Sequence, residues 1–253
     1  MTIRDDPEGM EVRTLTKHVP LKGMEVLEVG CGEGRLTFQY YAKARRVVAI
    51  DPLASSIRAA KRHSPKGLHA PEFRVGRAEK LAFRDESFDV AFFSWSLCCI
   101  DIPAMGKALD EAWRVLKPGG TLANMQPSLY QPFAKGTVSY LIDGQFGTTV
   151  DDERYRQARM ALKYAALIEG KFRHVVEEEF TVSTYYDSES EALKDLIADS
   201  REHYSALDRK TKARIKEVIG SMRTSKGIRT RDNVVLTVLA KSVPVPKLPK
   251  RDH

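Results

Sequence analysis

The chain has 253 residues, of which 42% are hydrophobic and 30% are charged, and its formal net charge is +7. This composition excludes a collagen-like, a wholly disordered or a disulfide-framework protein, and the length suffices for one large α/β domain or two small ones. The longest nearly apolar run, 90–100, is far shorter than the roughly 20 residues that a membrane-spanning helix needs.

The amino terminus and the cysteines predict an intracellular protein. The first seven residues carry acids where a secretory signal would carry a basic patch followed by an apolar run. The three cysteines, Cys31, Cys98 and Cys99, form neither a metal-binding pattern nor an even disulfide framework. We therefore expect a reducing, cytoplasmic location, and we expect no metal site and no membrane partner.

Short apolar runs alternate with amphipathic stretches between residues 24 and 126. Strands that alternate with helices of this length predict βαβ units and a parallel sheet. The predicted strands are 24–29, 46–50, 72–75, 88–94 and 121–125, and the predicted helices include 35–44, 54–62 and 103–116. The run Lys117-Pro118-Gly119-Gly120 predicts a turn after the last of these helices.

The strand and helix alternation stops at about residue 127 and resumes at residue 171. The intervening segment, 127–170, is predicted to be mostly helical and is rich in aromatic residues. The later predicted elements are a strand at 171–184, helices at 189–200 and 207–222, and a last strand at 233–241. Residues 242–253 predict an extended, mobile tail.

The most informative motif is the stretch Val-Leu-Glu-Val-Gly-Cys-Gly-Glu-Gly-Arg at 26–35. An apolar strand leads there into three glycines at alternate positions, Gly30, Gly32 and Gly34. Glycines allow a tight turn and let a ligand lie against the main chain, close to the N–H groups of the next helix. A dinucleotide-binding loop requires glycine where Arg35 stands. Glu28 also disfavours a pyrophosphate and suits a ligand with a positive amine or sulfonium.

A second motif is the apolar strand that ends in Asp51, 21 residues after Gly30. A carboxylate at the tip of the second strand can bind both ribose hydroxyls of a nucleoside. An aspartate in this position can also simply cap the next helix. The motif indicates a nucleoside site only in combination with the glycine loop at this distance.

Two further motifs complete a set that resembles the class I S-adenosylmethionine-dependent methyltransferases, in the branch that acts mostly on small molecules. These motifs are 75–83 with 87–94, and 112–122; the resemblance covers about 20–126. It implies a Rossmann-like, seven-stranded, mainly parallel sheet with a reversed last strand, helices on both faces, and a helical lid between strands five and six. We expect a single domain at 1–241, with a cofactor-binding core at 20–126, a substrate lid at 127–170, and late strands and basic helices at 171–241.

The same resemblance implies how S-adenosylmethionine, and its product S-adenosylhomocysteine, would be held. Gly30, Cys31 and Gly32 would lie against the methionine moiety, and Glu28 would orient this loop. Asp51 would bind the ribose, Pro52 and Leu53 would lie near the adenine, Ala78 would offer its backbone N–H, and Ser94 would lie near the methionine amine. The family usually has an acid where Arg77 stands, so either Glu79 substitutes for it or the adenine contact is lost.

The acceptor side gives weaker signals. Trp95, Tyr130 and Phe146 are candidate substrate contacts, because aromatic faces can hold a cation, although helical core packing explains such residues equally well. Cys98 and Cys99 are interpreted as small apolar fillers. No pair of residues indicates a general base, and none is needed when the enzyme mainly aligns the reactants for in-line displacement and excludes water.

The positive charge is concentrated late in the chain, because residues 201–231 hold ten basic and three acidic residues. The flank formed by Arg209, Lys212, Lys216 and Arg223 is interpreted as a solvated helix face, and an anionic partner such as RNA is the alternative. The sequence thus predicts methyl transfer to a small-molecule acceptor, with an RNA-directed methyltransferase as the alternative. A nicotinamide oxidoreductase is opposed by Glu28 and Arg35, and a non-catalytic cofactor-binding module is suggested only by Arg77. The acceptor and the oligomeric state are not predicted.

Overall fold

The computed structural model describes residues 3–128, 138–143, 150–198 and 200–243, and within them nine strands form one sheet. The strands are β1 (Arg4–Asp5), β2 (Glu25–Val29), β3 (Arg46–Asp51), β4 (Glu72–Val75), β5 (Phe88–Ser94), β6 (Leu116–Pro127), β7 (Phe172–Tyr186), β8 (Arg223–Thr224) and β9 (Gly227–Lys241). The helices are α1 (Met10–His18), α2 (Thr37–Tyr40), α3 (Ala54–His63), α4 (Ile102–Val115), α5 (Val138–Asp143), α6 (Val150–Leu167), α7 (Glu189–Leu196), α8 (Arg201–Ala206) and α9 (Arg209–Ser221). Among these residues no helix is long and apolar enough to cross a bilayer.

The sheet has the strand order β1-β7-β9-β6-β5-β2-β3-β4, and β8 pairs with β9. Strands β4, β3, β2, β5 and β6 are parallel to one another. Strand β9 lies between β6 and β7 and is antiparallel to both. Apart from the two-residue strands β1 and β8, the sheet is therefore seven-stranded with a reversed last strand, and this prediction is confirmed. Strands β3 and β4 lie on one side of β2, and the next strands in the chain, β5 and β6, lie on its other side. At such a reversal of strand order, α/β folds bind ligands at the carboxyl ends of the strands.

Side chains of the central strands are buried on both faces of the sheet, which explains their nearly continuous apolar sequences. In β2, Leu27 and Val29 belong to the apolar cluster that includes α4 and α6, while Val26 belongs to the cluster on the opposite face with α1 and α2. The helices therefore cover both faces, as the sequence predicted.

A third apolar cluster lies beyond the carboxyl end of β6. The β7 and β9 strands continue past the last β6 pairing, Pro127 with Val234, and their far ends carry Tyr186 and Ile228. These two side chains pack with Ile215 and Ile219 of α9 and with residues of α5 and α7. We refer to α5, α7, α8 and α9 as the cap. One face of α9 is thus buried in the cap, and α5 is the cap element that comes from the predicted lid segment.

Several predicted boundaries are wrong for local reasons. The predicted helix 35–44 is only one turn, α2, followed by a 3-10 turn at Tyr41–Lys43. The predicted turn at 117–120 instead belongs to β6, which starts directly after α4 with a register shift against β5. Gly119 allows this course through its left-handed φ of +73°, and a Cβ on Gly120 would lie 2.9 Å from the Lys117 carbonyl oxygen.

Other differences concern the ends of elements and elements for which no prediction was made. The predicted helix 189–200 ends at Leu196, and a separate helix, α8, begins at Arg201. Strand β9 begins at Gly227, six residues before its predicted start, because it pairs with β7 over the whole extension. Neither β1 nor α1 was predicted. Tyr130, Phe146 and the tail beyond residue 243 lie outside the described residues.

Candidate functional site

A cavity of about 730 Å³ opens at the carboxyl ends of β2, β3, β4 and β5. Its volume lies within the range of small-molecule and cofactor sites. All ten residues that the sequence analysis assigned to cofactor binding line it, together with Trp95: Glu28, Gly30, Cys31, Gly32, Asp51, Pro52, Leu53, Ala78, Glu79 and Ser94. The topology brings these residues together because parallel strands end at the same edge of the sheet.

The glycine loop is attached to β3 by its backbone. The N–H groups of Gly30 and Cys31 both donate to the carbonyl oxygen of Ile50, at 2.8 and 2.9 Å. Gly30 has a left-handed φ of +80°, and a Cβ there would lie 2.3 Å from the Cβ of Ser96. Gly32 also has a positive φ of +55°, but no heavy atom lies within 4 Å of its Cβ position. Protein packing therefore requires glycine at position 30, whereas Gly32 leaves its backbone open to a ligand.

Asp51 joins the glycine loop to the start of α3. Its Oδ2 accepts a hydrogen bond from the Gly32 N–H and its Oδ1 accepts one from the Leu53 N–H, each at 2.9 Å. The bond to Leu53 is the local turn that aspartate commonly makes with the residue two positions later. Because a carboxylate has about four lone-pair sites, Asp51 retains acceptor capacity towards the cavity.

Glu28 lies at the cavity wall but is bonded to α2. The side chain is 1% exposed, and its Oε2 accepts hydrogen bonds from Thr37 Oγ1 at 2.6 Å and Tyr40 Oη at 2.9 Å. Burial raises the pKa of Glu28 to about 7, against the opposing effects of these two hydrogen bonds and of the Arg35 charge. The site therefore contains a carboxyl group that is poised to ionise near neutrality when a cation approaches it.

The wall after β4 carries Ala78 between two charged residues. Arg77 and Glu79 form an ion pair of 3.2 Å, in which the Arg77 side chain is 68% exposed and that of Glu79 is 18% exposed. Leu53, across the cavity, is a largely exposed apolar side chain. An aromatic ring bound between these walls would cover Leu53 and meet the Glu79 carboxylate.

Ser94 ends β5 with a polar atom that the protein leaves unpaired. The Ser94 Oγ is buried, and it has no hydrogen-bond partner among the described residues. Such orphaned groups are rare in native proteins, and a ligand in this cavity would find a hydrogen-bonding group here.

Trp95 and two residues that the sequence analysis did not assign to the site form the adjoining wall. Trp95 has a left-handed φ of +54°, and its Nε1 donates to Glu11 Oε1 at 2.6 Å. Glu11, on α1, also accepts from both terminal nitrogens of Arg35, at 2.5 and 3.0 Å. Helix α1 has a detectable sequence signal, because Val12, Leu15 and the following Val19 recur at helical spacing and are buried.

A second cavity, of about 230 Å³, lies on the other side of this wall. It shares Arg35 and Trp95 with the larger cavity, and its other lining residues are Asp5, Asp6, Glu11, Val182, Thr184 and Asp232. The N-terminal segment and the antiparallel pair of β7 and β9 therefore meet beside the larger cavity.

The two adjacent cysteines differ in their surroundings. Cys98 is 3% exposed and packs in the apolar cluster on the α4 face, as the interpretation of a small apolar filler predicts. Cys99 is exposed and lines the larger cavity, as does the buried Cys31. Burial, followed by the negative charges of Glu28 and Asp51, raises the pKa of the Cys31 thiol, so this group is a poor nucleophile.

Comparison with known proteins gives a consistent result. Residues 27–124 match a family model described as a methyltransferase domain. The chain is 28% identical over 166 residues to a malonyl-(acyl-carrier protein) O-methyltransferase from Serratia marcescens, over 65% of this chain and 59% of that protein. The chain thus spans little more than half the length of this curated relative.

Solved structures share the fold over nearly the whole chain. A protein from Bacillus halodurans that is assigned as a methyltransferase matches with a TM-score of 0.60 and 20% identity, over 93% of this chain and 100% of that one. A geranyl diphosphate C-methyltransferase from Streptomyces coelicolor, in complex with Mg²⁺, geranyl diphosphate and S-adenosylhomocysteine, matches with a TM-score of 0.52 and 17% identity. That match covers 93% of this chain and 79% of the other. At these identities the likeness concerns the fold.

Proposed function

We propose that this chain transfers a methyl group from S-adenosylmethionine to a small-molecule acceptor, because residues 27–124 match a methyltransferase domain and solved structures share the fold. The observation that carries the proposal is the convergence of ten predicted cofactor residues on one cavity at the carboxyl edge of the sheet. These residues come from four strand ends that are far apart in sequence.

The cavity fits this cofactor in three respects. Its volume of about 730 Å³ suits a nucleoside linked to an amino acid. The Gly32 backbone is open to close approach, and the buried Ser94 Oγ lacks a partner. Two carboxyl groups, Glu28 and Asp51, stand at opposite ends of the glycine loop, where an amine and a ribose would each find an acceptor.

Each residue then has a binding role. Asp51, which the Gly32 and Leu53 N–H groups hold in place, accepts hydrogen bonds from the ribose hydroxyls. Leu53 covers one face of the adenine. Glu79, which is more shielded than Arg77, is the acid that replaces the usual one at the adenine amino group.

The methionine end meets Glu28 and Ser94. The Glu28 carboxyl group ionises beside the positive amine, and the Ser94 hydroxyl completes its hydrogen bonding there. When bound, S-adenosylmethionine supplies a methyl group on a positively charged sulfur, which suits in-line displacement by an acceptor atom. The protein contributes alignment and the exclusion of water rather than a strong base.

The acceptor is proposed to enter on the side of Trp95, which lines the cavity next to Ser94. The Serratia relative is named for an acceptor on a carrier protein and the Streptomyces neighbour for an isoprenoid diphosphate, so similar domains serve chemically different acceptors. Within the predicted lid, 127–170, helix α6 packs against α4 on a face of the sheet. We therefore propose that the part before α6 forms the lid, and Tyr130 and Phe146 remain its candidate contacts. Acceptor specificity then resides in the cap and lid rather than in the glycine loop.

The RNA-directed alternative rests on the basic flank of α9. Within the described residues two of its four cations are engaged locally, because Arg223 pairs with Glu189 at 2.7 Å and Lys212 donates to the Ser205 carbonyl at 2.8 Å. Lys212 also lies over the Tyr204 ring. These contacts favour a structural or solvated flank over a phosphate-binding surface.

Calorimetry with S-adenosylhomocysteine and with NAD tests the proposal. We expect S-adenosylhomocysteine to bind with a micromolar Kd and NAD to show no measurable heat, because Glu28 stands where a pyrophosphate would need a neutral or positive loop. Binding of NAD in preference to S-adenosylhomocysteine would favour an oxidoreductase instead. Incubation with methyl-labelled S-adenosylmethionine and a panel of small acceptors then distinguishes an enzyme from a non-catalytic binding module.

A further inference from the structure

One carboxylate holds both side chains that separate the two cavities. Glu11 is 1% exposed, and it binds the Arg35 guanidinium through two hydrogen bonds and the Trp95 indole through a third. Arg35 and Trp95 line the cofactor cavity and the second cavity alike. Glu11 lies outside the matched domain, on a helix that reaches the site from the N-terminal segment.

The Arg35 charge acts inside the cofactor cavity. Its positive charge lowers the pKa of Glu28, which lines the same cavity. Burial alone would lower the pKa of Arg35, but its bond to Glu11 and the negative charges of Glu11, Asp5 and Asp6 raise it, so the guanidinium stays charged. The cavity wall therefore carries a permanent cation whose main partner is Glu11.

This cation conflicts with the ligand that the cavity is proposed to bind. S-adenosylmethionine carries a sulfonium and an ammonium, and like charges in a partly desolvated site repel each other. We propose that Glu11 neutralises Arg35 at the cavity wall and thereby determines that the cavity accepts a sulfonium ligand. The inference rests on the proposed function, and it makes Glu11 a positioning residue that acts through Arg35.

The test compares the affinities of S-adenosylmethionine and S-adenosylhomocysteine, which differ in the charged, methylated sulfur. We expect Glu11→Gln to raise the ratio of Kd for S-adenosylmethionine to Kd for S-adenosylhomocysteine roughly threefold. The effect is modest because the Arg35 side chain is 40% exposed and solvent screens its charge. Glutamine retains an oxygen that can accept from the Trp95 indole, so the variant removes charge rather than the wall.

Two further variants fix the sign of the effect. Arg35→Gln leaves the Glu11 carboxylate without its cation, so the ratio should fall by a similar factor. The double variant, Glu11→Gln with Arg35→Gln, should return the ratio to the wild-type value. Glu72→Gln is the matched control, because it breaks the 2.8 Å pair with Arg46 at the amino ends of β3 and β4 and should leave the ratio unchanged.

A spectroscopic measurement reports on the wall itself. The chain has two tryptophans, so Trp113→Phe leaves Trp95 as the one emitter. In this background we expect Glu11→Leu, which cannot accept a hydrogen bond, to shift the Trp95 emission, whereas Glu11→Gln leaves it nearly unchanged.

The outcomes separate the inference from the proposed function. If the wild-type protein binds neither ligand, the proposed function fails and the inference fails with it. If both ligands bind and the ratio does not respond to Glu11→Gln and Arg35→Gln with opposite signs, or the double variant does not restore it, the inference alone is overturned. If circular dichroism shows that Glu11→Gln does not fold, the sign of the Arg35→Gln effect decides the question.

Discussion

Asp51 holds two backbone N–H groups of the protein and is also proposed to bind the ribose hydroxyls. We expect Asp51→Ala to weaken S-adenosylhomocysteine binding at least tenfold, or roughly 1.4 kcal/mol, because a charge-assisted acceptor for two hydroxyls is lost. Calorimetry measures the change. The variant also loses the bonds to Gly32 and Leu53, so its stability has to be followed by thermal unfolding.

Asp208→Ala is the matched control for this substitution. Asp208 accepts a hydrogen bond from the Thr211 N–H at the start of α9, so its removal also takes an aspartate from a helix start. We expect this control to lose some stability, because the helix loses its N-terminal cap, and to keep its affinity. An equal loss of affinity in both variants, or full affinity in a folded Asp51→Ala, would remove Asp51 from the binding site.

Glu28 makes cofactor binding depend on pH. Its pKa of about 7 means that the carboxyl group is largely protonated below neutrality in the free protein, and binding a positive amine beside it requires the proton to leave. The affinity for S-adenosylhomocysteine should therefore rise up to tenfold per pH unit below pH 7 and level off above it. Calorimetry in buffers of different ionisation enthalpy should detect proton release near pH 6.5.

The same raised pKa has a defined effect on stability. The folded protein holds the Glu28 proton between about pH 4.5 and 7 while the unfolded chain has lost it, so this group's contribution to stability falls as the pH rises through that window. Glu28→Gln should reduce the pH dependence of S-adenosylhomocysteine binding and the pH dependence of stability. An unchanged pH profile of binding in Glu28→Gln would show that the amine does not lie beside this residue.

At the scale of elements, the sequence predicted the central strands of the parallel core well because β2, β3 and β5 are buried on both faces. These strands agree with their predicted bounds to within one residue, because a strand that is buried on both faces is apolar along nearly its whole length. The prediction failed where pairing, rather than composition, sets the bounds. Strand β9 continues to Gly227 through residues such as Arg229 and Arg231 because β7 supplies hydrogen-bond partners over the whole extension.

The candidate site shows the same division. The clustering of the ten candidate cofactor residues was predictable, because the motifs that carry them resemble a known family and stand at strand ends and on the adjoining loops. The place of Glu11 was not, because its contacts with Arg35 and Trp95 join residues 24 and 84 positions away and leave no local spacing to detect. Such long-range polar contacts depend on how α1 docks on the sheet.

The basic face of α9 gives a prediction for a whole element. We expect replacement of Arg209, Lys212, Lys216 and Arg223 by glutamine to leave S-adenosylhomocysteine affinity unchanged, because the cofactor cavity lies at the glycine loop and not on α9. Filter binding of labelled RNA should show no micromolar, salt-dependent affinity in the wild-type protein. Binding that weakens steeply with salt, and a slope reduced by up to about four contacts in the variant, would support the RNA-directed alternative.

At the scale of the whole molecule, the apolar side chains of the described residues form two large clusters on the faces of the sheet, a small one beside α3 and a separate one in the cap. The two face clusters share the central strands, whereas the cap cluster contains no residue of β2 to β6. Regions of a protein that have separate apolar cores can unfold locally, each with its own free energy of opening. The cap should therefore open without unfolding the sheet.

Hydrogen exchange read by mass spectrometry tests this separation. At a ligand concentration of about 100 times Kd, S-adenosylhomocysteine should stabilise the folded state by about 2.7 kcal/mol and slow amides that exchange by global unfolding about 100-fold. We expect this slowing in β2 and β5. Amides of α7 and α9 should exchange faster than those strands in the free protein and should be slowed much less, because their local opening leaves the cofactor cavity intact. If α7, α9 and β5 were slowed by the same factor, the cap and the sheet would open as one unit, which would contradict the separation of their cores.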